Sequence, residues 1–227
     1  MTVGSNLSYS TLIADKSTDG SIARWLNHSS IQGDADNIVA EAEAWIYRDL
    51  RHWRMLTQTT GTMTANPGGQ PTVTDYIPLP TDYLEDKVFY ITGTNYQKMT
   101  RKTMEEVIAS YGYDGNGYRI VQQPMIFYND GTNINFDSPP DQAYPYLLNY
   151  YQQPASLATS NVNWLTQFYP RLLRCACCMG AAEFMKDVGQ GNYDRTYWAQ
   201  QAAMELQKAQ IESDRSVRSQ EIGAIII

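Results

Sequence analysis

The hydrophobic period changes twice along the chain, from helical to alternating near residue 56 and back to helical near residue 155, so neither an all-helical nor an all-strand fold accommodates it. Helices, then strands, then helices again predict an α+β fold: a helical bundle with an inserted small antiparallel β domain and an extended C-terminal arm. Four segments follow from this pattern. Residues 1–56 supply the N-terminal helices of the bundle, 57–154 the inserted β-rich region, 155–211 the C-terminal helices and 212–227 the arm.

Within residues 36–56, Ile38, Ala42, Trp45, Ile46, Leu50 and Trp53 recur mostly three or four apart, while Glu41, Glu43, Arg48, Arg51 and Arg54 mostly fall elsewhere. This spacing predicts an amphipathic helix, capped by Asp34 or Asp36 after Gly33. A shorter helix is expected over residues 22–27, with Ile22, Trp25 and Leu26 on one face. Trp45, Trp53 and Trp164 are expected in the core or between helices. In the middle region the period is two, with turns at Asn66-Pro67-Gly68-Gly69 and at Asn129-Asp130-Gly131. The second turn predicts a hairpin, because Asp-Gly tolerates the positive φ of a tight turn. Thr103 and Glu106 are placed to satisfy each other's backbone donors at the start of a short helix. After residue 161, Pro170 opens a helix that is apolar nearly all round, through Leu172, Leu173, Ala176, Met179 and Phe184, which predicts a central position. Gly189-Gln190-Gly191 breaks it, and a further helix is expected over residues 193–211, followed by a polar run over 212–221.

Composition narrows the function. A 43% hydrophobic and 18% charged share is ordinary for a globular chain. The first residues lack a basic region followed by an apolar run, so no secretion signal is expected. The apolar residues 224–227 are too few to span a bilayer, which takes about 20. A net charge of -7 weighs against a dedicated nucleic-acid binder, which needs a basic face. Seventeen tyrosines favour protein contacts, since Tyr offers a large rigid surface with a polar tip.

A search for chemistry finds little. His28 and His52 have no metal spacing and are expected at the surface or partly packed. Cys175, Cys177 and Cys178 crowd one apolar segment and read as buried thiols of a reducing cytoplasm. Two of them share a helical face, but zinc takes about four ligands and no second pair is offered. Asp34 and Asp36 open a calcium-loop pattern that Ile38 then breaks, leaving helix capping as their role. Gly112, Gly115 and Gly117 lie in a Tyr-rich stretch without the strand-to-helix setting of a phosphate loop. No nucleophile elbow or acid-base pair appears. No enzyme activity, cofactor or metal is expected. Arg48, Arg51 and Arg54 could form a basic strip for a channel or partner contact, or a solvated face neutralised by Glu41 and Glu43.

Three segments taken in order resemble a known family. Trp25-Leu26-Asn27 and the run from Ile38 through Ala40-Glu41-Ala42 and Ile46-Tyr47-Arg48-Asp49-Leu50-Arg51 are similar to a helix of phage head-to-tail adaptors. Ile77-Pro78-Leu79-Pro80-Thr81-Asp82-Tyr83-Leu84-Glu85 looks like their strand entry. Tyr150-Tyr151-Gln152-Gln153-Pro154-Ala155-Ser156-Leu157, then Asn163-Trp164-Leu165 and the helix through Ala181, Ala182 and Glu183, resembles their ending. The resemblance implies a head-to-tail adaptor, or connector, of short-tailed phages: a virion neck protein made in the host cytoplasm. It further implies a ring of twelve copies beneath the portal protein, which receives tail proteins and lets genomic DNA pass without sequence-specific binding or any membrane contact. A tail-side stopper or tail-completion protein is the alternative, followed by a glycan- or nucleic-acid-binding module. Ile222, Ile225, Ile226 and Ile227 are expected to contact portal or a neighbouring subunit, because free isoleucines are costly in water.

Overall fold

The computed structural model describes residues 7–66, 76–93, 95–187 and 194–225, with side chains as far as Val217 in the last helix. The chain divides into two compact units, Met1–Met55 with Pro154–Ile227, and Leu56–Gln153. In the first, α1 (Tyr9–Leu12) and α2 (Ile22–Trp25) each begin at a serine whose side chain accepts a backbone N–H of the first turn, Ser8 from Thr11 and Ser21 from Arg24. A 3-10 turn over Ser29–Asp34 runs into α3 (Ala35–Asp49), which turns Ala35, Ile38, Val39, Ala42, Glu43, Ile46 and Tyr47 inward. Asp34 takes the N-cap position without a side-chain capping bond. The helix ends at Asp49, short of the expected residue 56, because buried Leu50 turns extended. The Arg51 guanidinium then donates to the carbonyls of Tyr47, Leu50 and Arg48 at 2.8, 3.0 and 3.3 Å, satisfying groups that a helix end leaves open.

The second unit holds β1 (Leu56–Met63), β2 (Tyr76–Pro78), β3 (Tyr83–Ile91), β4 (Gln97–Lys98), β5 (Thr100–Arg101), α4 (Met104–Ala109), β6 (Ile126–Asn129), β7 (Asn133–Phe136) and β8 (Tyr144–Gln152). They make two four-stranded sheets, ordered β1-β8-β3-β4 and β2-β7-β6-β5, in place of the single antiparallel sheet expected. Among the described residues all pairs are antiparallel except β5 with β6. The two sheets share one core because strands of both are apolar on alternate residues. Phe89 meets Phe127 edge-on at 5.3 Å and stacks on Phe136 at 6.2 Å, with Met63, Ile77, Ile134 and Leu148 around them. The chain crosses between sheets at buried Met99, whose N–H donates to the Phe89 carbonyl at 2.8 Å. The hairpin of β6 and β7 closes through Asp130, whose carboxylate accepts the N–H groups of Thr132 and Asn133, with Gly131 at φ 91°. Thr103 and Glu106 form the capping box of α4. The 66–69 turn lies mostly outside the described residues, as does the 189–191 break.

The first unit resumes with α5 (Leu157–Ser160), α6 (Trp164–Phe168), α7 (Pro170–Asp187) and α8 (Arg195–Ile225). Asn161 follows α5 at φ 59°, and its main-chain and side-chain oxygens accept the N–H groups of Tyr9 and Ser10 at 2.7 and 3.0 Å. Helix α7 is central: Leu172, Leu173, Cys175 through Cys178, Ala181, Ala182 and Met185 are buried, and it packs on α2, α3, α6 and α8. Each buried leucine contributes about 1.5–3 kcal/mol. Beyond Ile211, where an arm is expected, α8 continues as helix through Ile225.

Candidate interaction surfaces

Helix α8 is held by polar groups as much as by apolar ones. Ala202 and Ala209 are buried, and so is Ser213. The segment after α3 leaves backbone N–H groups without helical partners, and α8 supplies them: Gln210 accepts from Arg51 at 3.2 Å and Ser213 Oγ accepts from Trp53 at 2.9 Å. Beside them His52, expected at the surface or partly packed, is fully buried. Its Nδ1 accepts the Arg54 N–H at 3.2 Å, which places the proton on Nε2 facing the Tyr169 hydroxyl at 3.0 Å. The imidazole stacks on Trp164 with centroids 5.0 Å apart. Burial, assisted by the Arg54 charge and opposed by Glu212, lowers its pKa to about 4. Burial and then a hydrogen bond to the Glu212 carboxylate raise that of Tyr169.

The three arginines read as one strip have three different settings. Arg48 pairs with Asp49 at 3.2 Å, Arg51 closes the end of α3, and Arg54 lies between the Phe168 ring at 3.7 Å and the Trp53 ring at 4.4 Å. Only Arg48 is on α3, because the helix ends before the other two. Trp45, Trp53 and Trp164, expected in the core or between helices, are each half-buried, and Trp164 lies among Tyr47 of α3, His52 and Tyr169 at centroid distances of 6.5, 5.0 and 5.7 Å. Ile222 and Ile225 fall on the last turns of α8, with side chains outside the described residues, and Ile226 and Ile227 lie outside them altogether.

Away from its packed face, α8 presents Tyr197, Met204 and Ile211, which remain 49%, 46% and 42% exposed. Seven residues are close to two turns of an α-helix, so the three form a stripe along the side remote from Ala202, Ala209 and Ser213. The sequence contains this spacing, but the single apolar residue per heptad is easily lost among the glutamines between. The chain matches the family model of the SU10 adaptor protein over residues 17–222.

The chain belongs to the SU10 adaptor protein family. This is a family of phage head-to-tail adaptors, so the chain is a structural component of the virion. No curated protein matches it. The match spans nearly all of both units. Among the described residues no three His, Cys, Asp or Glu side chains converge to hold a metal ion, and no helix is long and apolar enough to cross a membrane. The three cysteines are free and buried, and burial pushes the Cys178 thiol up to about 12.

The adaptor also contains a polar centre that periodicity did not reveal. Glu43 is buried on α3 and accepts the Leu157 N–H with both oxygens at 3.1 and 3.2 Å, the Ser156 hydroxyl at 3.2 Å and the Asn163 side-chain amide at 3.2 Å. It thereby ties α3 to the first turns of α5 and α6. Burial raises its pKa against the opposing effect of those bonds. Glu43 therefore does not neutralise a solvated face beside the arginines, as its sequence setting allowed: lying four after Val39 and three before Ile46, it shares the buried side of α3. In the β unit, α4 buries Val107 and leaves Met104 and Ile108, one turn apart, exposed.

Proposed function

We propose that the chain is the subunit of a neck ring that closes beneath the portal, extends the DNA channel and offers the face on which the tail docks. The observation that carries this reading is the family match, which spans both units and therefore concerns the whole subunit. A ring of one chain needs two different contact faces per copy, because head-to-tail contacts close only when the rotation completes a circle. The stripe of α8 supplies aromatic and apolar surface for one of them. An acidic subunit suits a channel through which duplex DNA slides, since like charge limits adhesion. The ring has twelve copies, sits in the virion neck and catalyses no reaction.

In this reading Ile222, Ile225, Ile226 and Ile227 dock on portal, carried there by the end of α8. Arg51 is committed to the end of α3, which leaves Arg48 and Arg54 for the channel or partner contact. Deletion of residues 221–227 tests the docking. The shortened subunit is expected to fold as the full chain does, by circular dichroism, and to lose co-sedimentation with purified portal. Unfolding of the shortened chain, or undiminished portal binding, contradicts the assignment.

A further inference from the structure

The first sheet of the β unit, ordered β1-β8-β3-β4, has two edges of opposite character. Natural sheets keep an edge from pairing with other chains by short strands, bulges and charges. The β3 and β4 side has all of these. β3 shifts register against β8 between Tyr83 and Glu85 and again between Asp86 and Val88, and it carries Glu85, Asp86 and Lys87. β4 is two residues long and includes Lys98.

The β1 side has none. Its eight residues, Leu-Thr-Gln-Thr-Thr-Gly-Thr-Met, include no charge and no proline. They pair with β8 without a break from Leu56 opposite Tyr151 to Met63 opposite Tyr144. No other described strand pairs with β1, and no described residue bonds to the main-chain groups on its outer side.

The strand is also complementary to itself. Its odd residues lie opposite Tyr144, Tyr146, Leu148 and Tyr150 and so share the core face, while Gln58, Thr60 and Thr62 face outward and are exposed. An antiparallel pairing of β1 with β1 of another copy, centred on Thr60, sets Thr57 opposite Met63, Gln58 opposite Thr62 and Thr59 opposite Gly61. Odd residues then meet odd residues, so both cores stay on one side of a continuous sheet, and no like charges meet. Leu56, where the two units join, stays outside the pairing.

We propose that β1 is the pairing edge of a two-fold dimer formed by the free chain. The occupant is a second copy because the strand's own sequence satisfies the pairing at every position. A two-fold contact uses the same edge of both copies and is complete at two, so the open edge does not propagate into fibres. Such a contact has no place in a cyclic head-to-tail ring. The dimer therefore belongs to the subunit before assembly and opens when the ring closes.

Sedimentation velocity of the full chain at micromolar concentration tests this. The wild type is expected to sediment as a dimer of the 25.7 kDa chain. Thr60→Lys, which sets two lysines face to face at an exposed position, is expected to weaken dimerisation at least about tenfold, as is Thr60→Glu. Mixing the two variants restores a dimer, which a merely structural defect does not do. Should either variant fail to fold, amide exchange decides: the outward β1 amides of the wild type slow with concentration. A monomeric wild type, a dimeric Thr60→Lys, a mixture that stays monomeric, a ring larger than two or concentration-independent exchange each overturn the proposal. All use the free chain alone, so their outcome is separate from that of portal binding.

Discussion

At His52 the packing sets the protonation state. The ring is stacked and hydrogen-bonded as the neutral tautomer, and its pKa falls from the ordinary 6.5 to about 4 because burial disfavours the charge. The unfolded chain therefore binds the proton first as pH falls, and stability contributed by neutral His52 is present above about 6.5 and lost progressively towards 4. The melting temperature should decline across that window, and His52→Asn, which keeps an acceptor for the Arg54 N–H but does not titrate, should decline less steeply. Equal slopes for the two proteins contradict this account. Glu43→Leu should cost at least about 1–3 kcal/mol, the usual penalty for one unmet buried donor, since it strands the Leu157 N–H among others. A chemical denaturation midpoint that does not move would mean that the Glu43 centre contributes nothing. The two residues differ in how far sequence reveals them: Glu43 occupies an apolar stripe position, whereas the burial of His52 depends on α8, distant in sequence.

Among the elements, those with strong local signals were legible: α3 from its stripe, α7 from its apolar girth and Pro170, α4 from its capping box, and the β6 and β7 hairpin from Asp130-Gly131. So was α8 as far as Ile211, but not its continuation as helix beyond, because periodicity looks for apolar contacts and the partner of Ser213 is a backbone amide. Nor was the division into two sheets, since alternation along a strand states that one face is buried and not against which strand. β1 shows the balance at its glycine. A Cβ at Gly61 would lie 2.5 Å from the Tyr146 hydroxyl oxygen and 2.7 Å from Cζ, and that ring is held edge-on to Phe89 with centroids 5.5 Å apart. Gly61→Ala should therefore destabilise the protein by about 1–3 kcal/mol, the range for overpacking. Urea denaturation measures it, and an unchanged midpoint would show that Tyr146 moves aside freely.

For the whole molecule, two changes of hydrophobic period were enough to give the α+β class, and motifs spread over most of the chain were enough to give the family. Contact surfaces were less visible, because a surface built for another protein leaves no requirement for particular residue types comparable to a catalytic group. The stripe of Tyr197, Met204 and Ile211 and the unprotected edge of β1 became apparent only when burial and strand order were known. The central claim, a structural subunit joining head to tail, is tested most directly by cryo-electron microscopy of the assembled particle. The account predicts a closed ring of this chain between portal and tail, with α8 engaged against a neighbouring protein. Its absence from the finished particle, or a location in the capsid shell or at the tail tip, would contradict it.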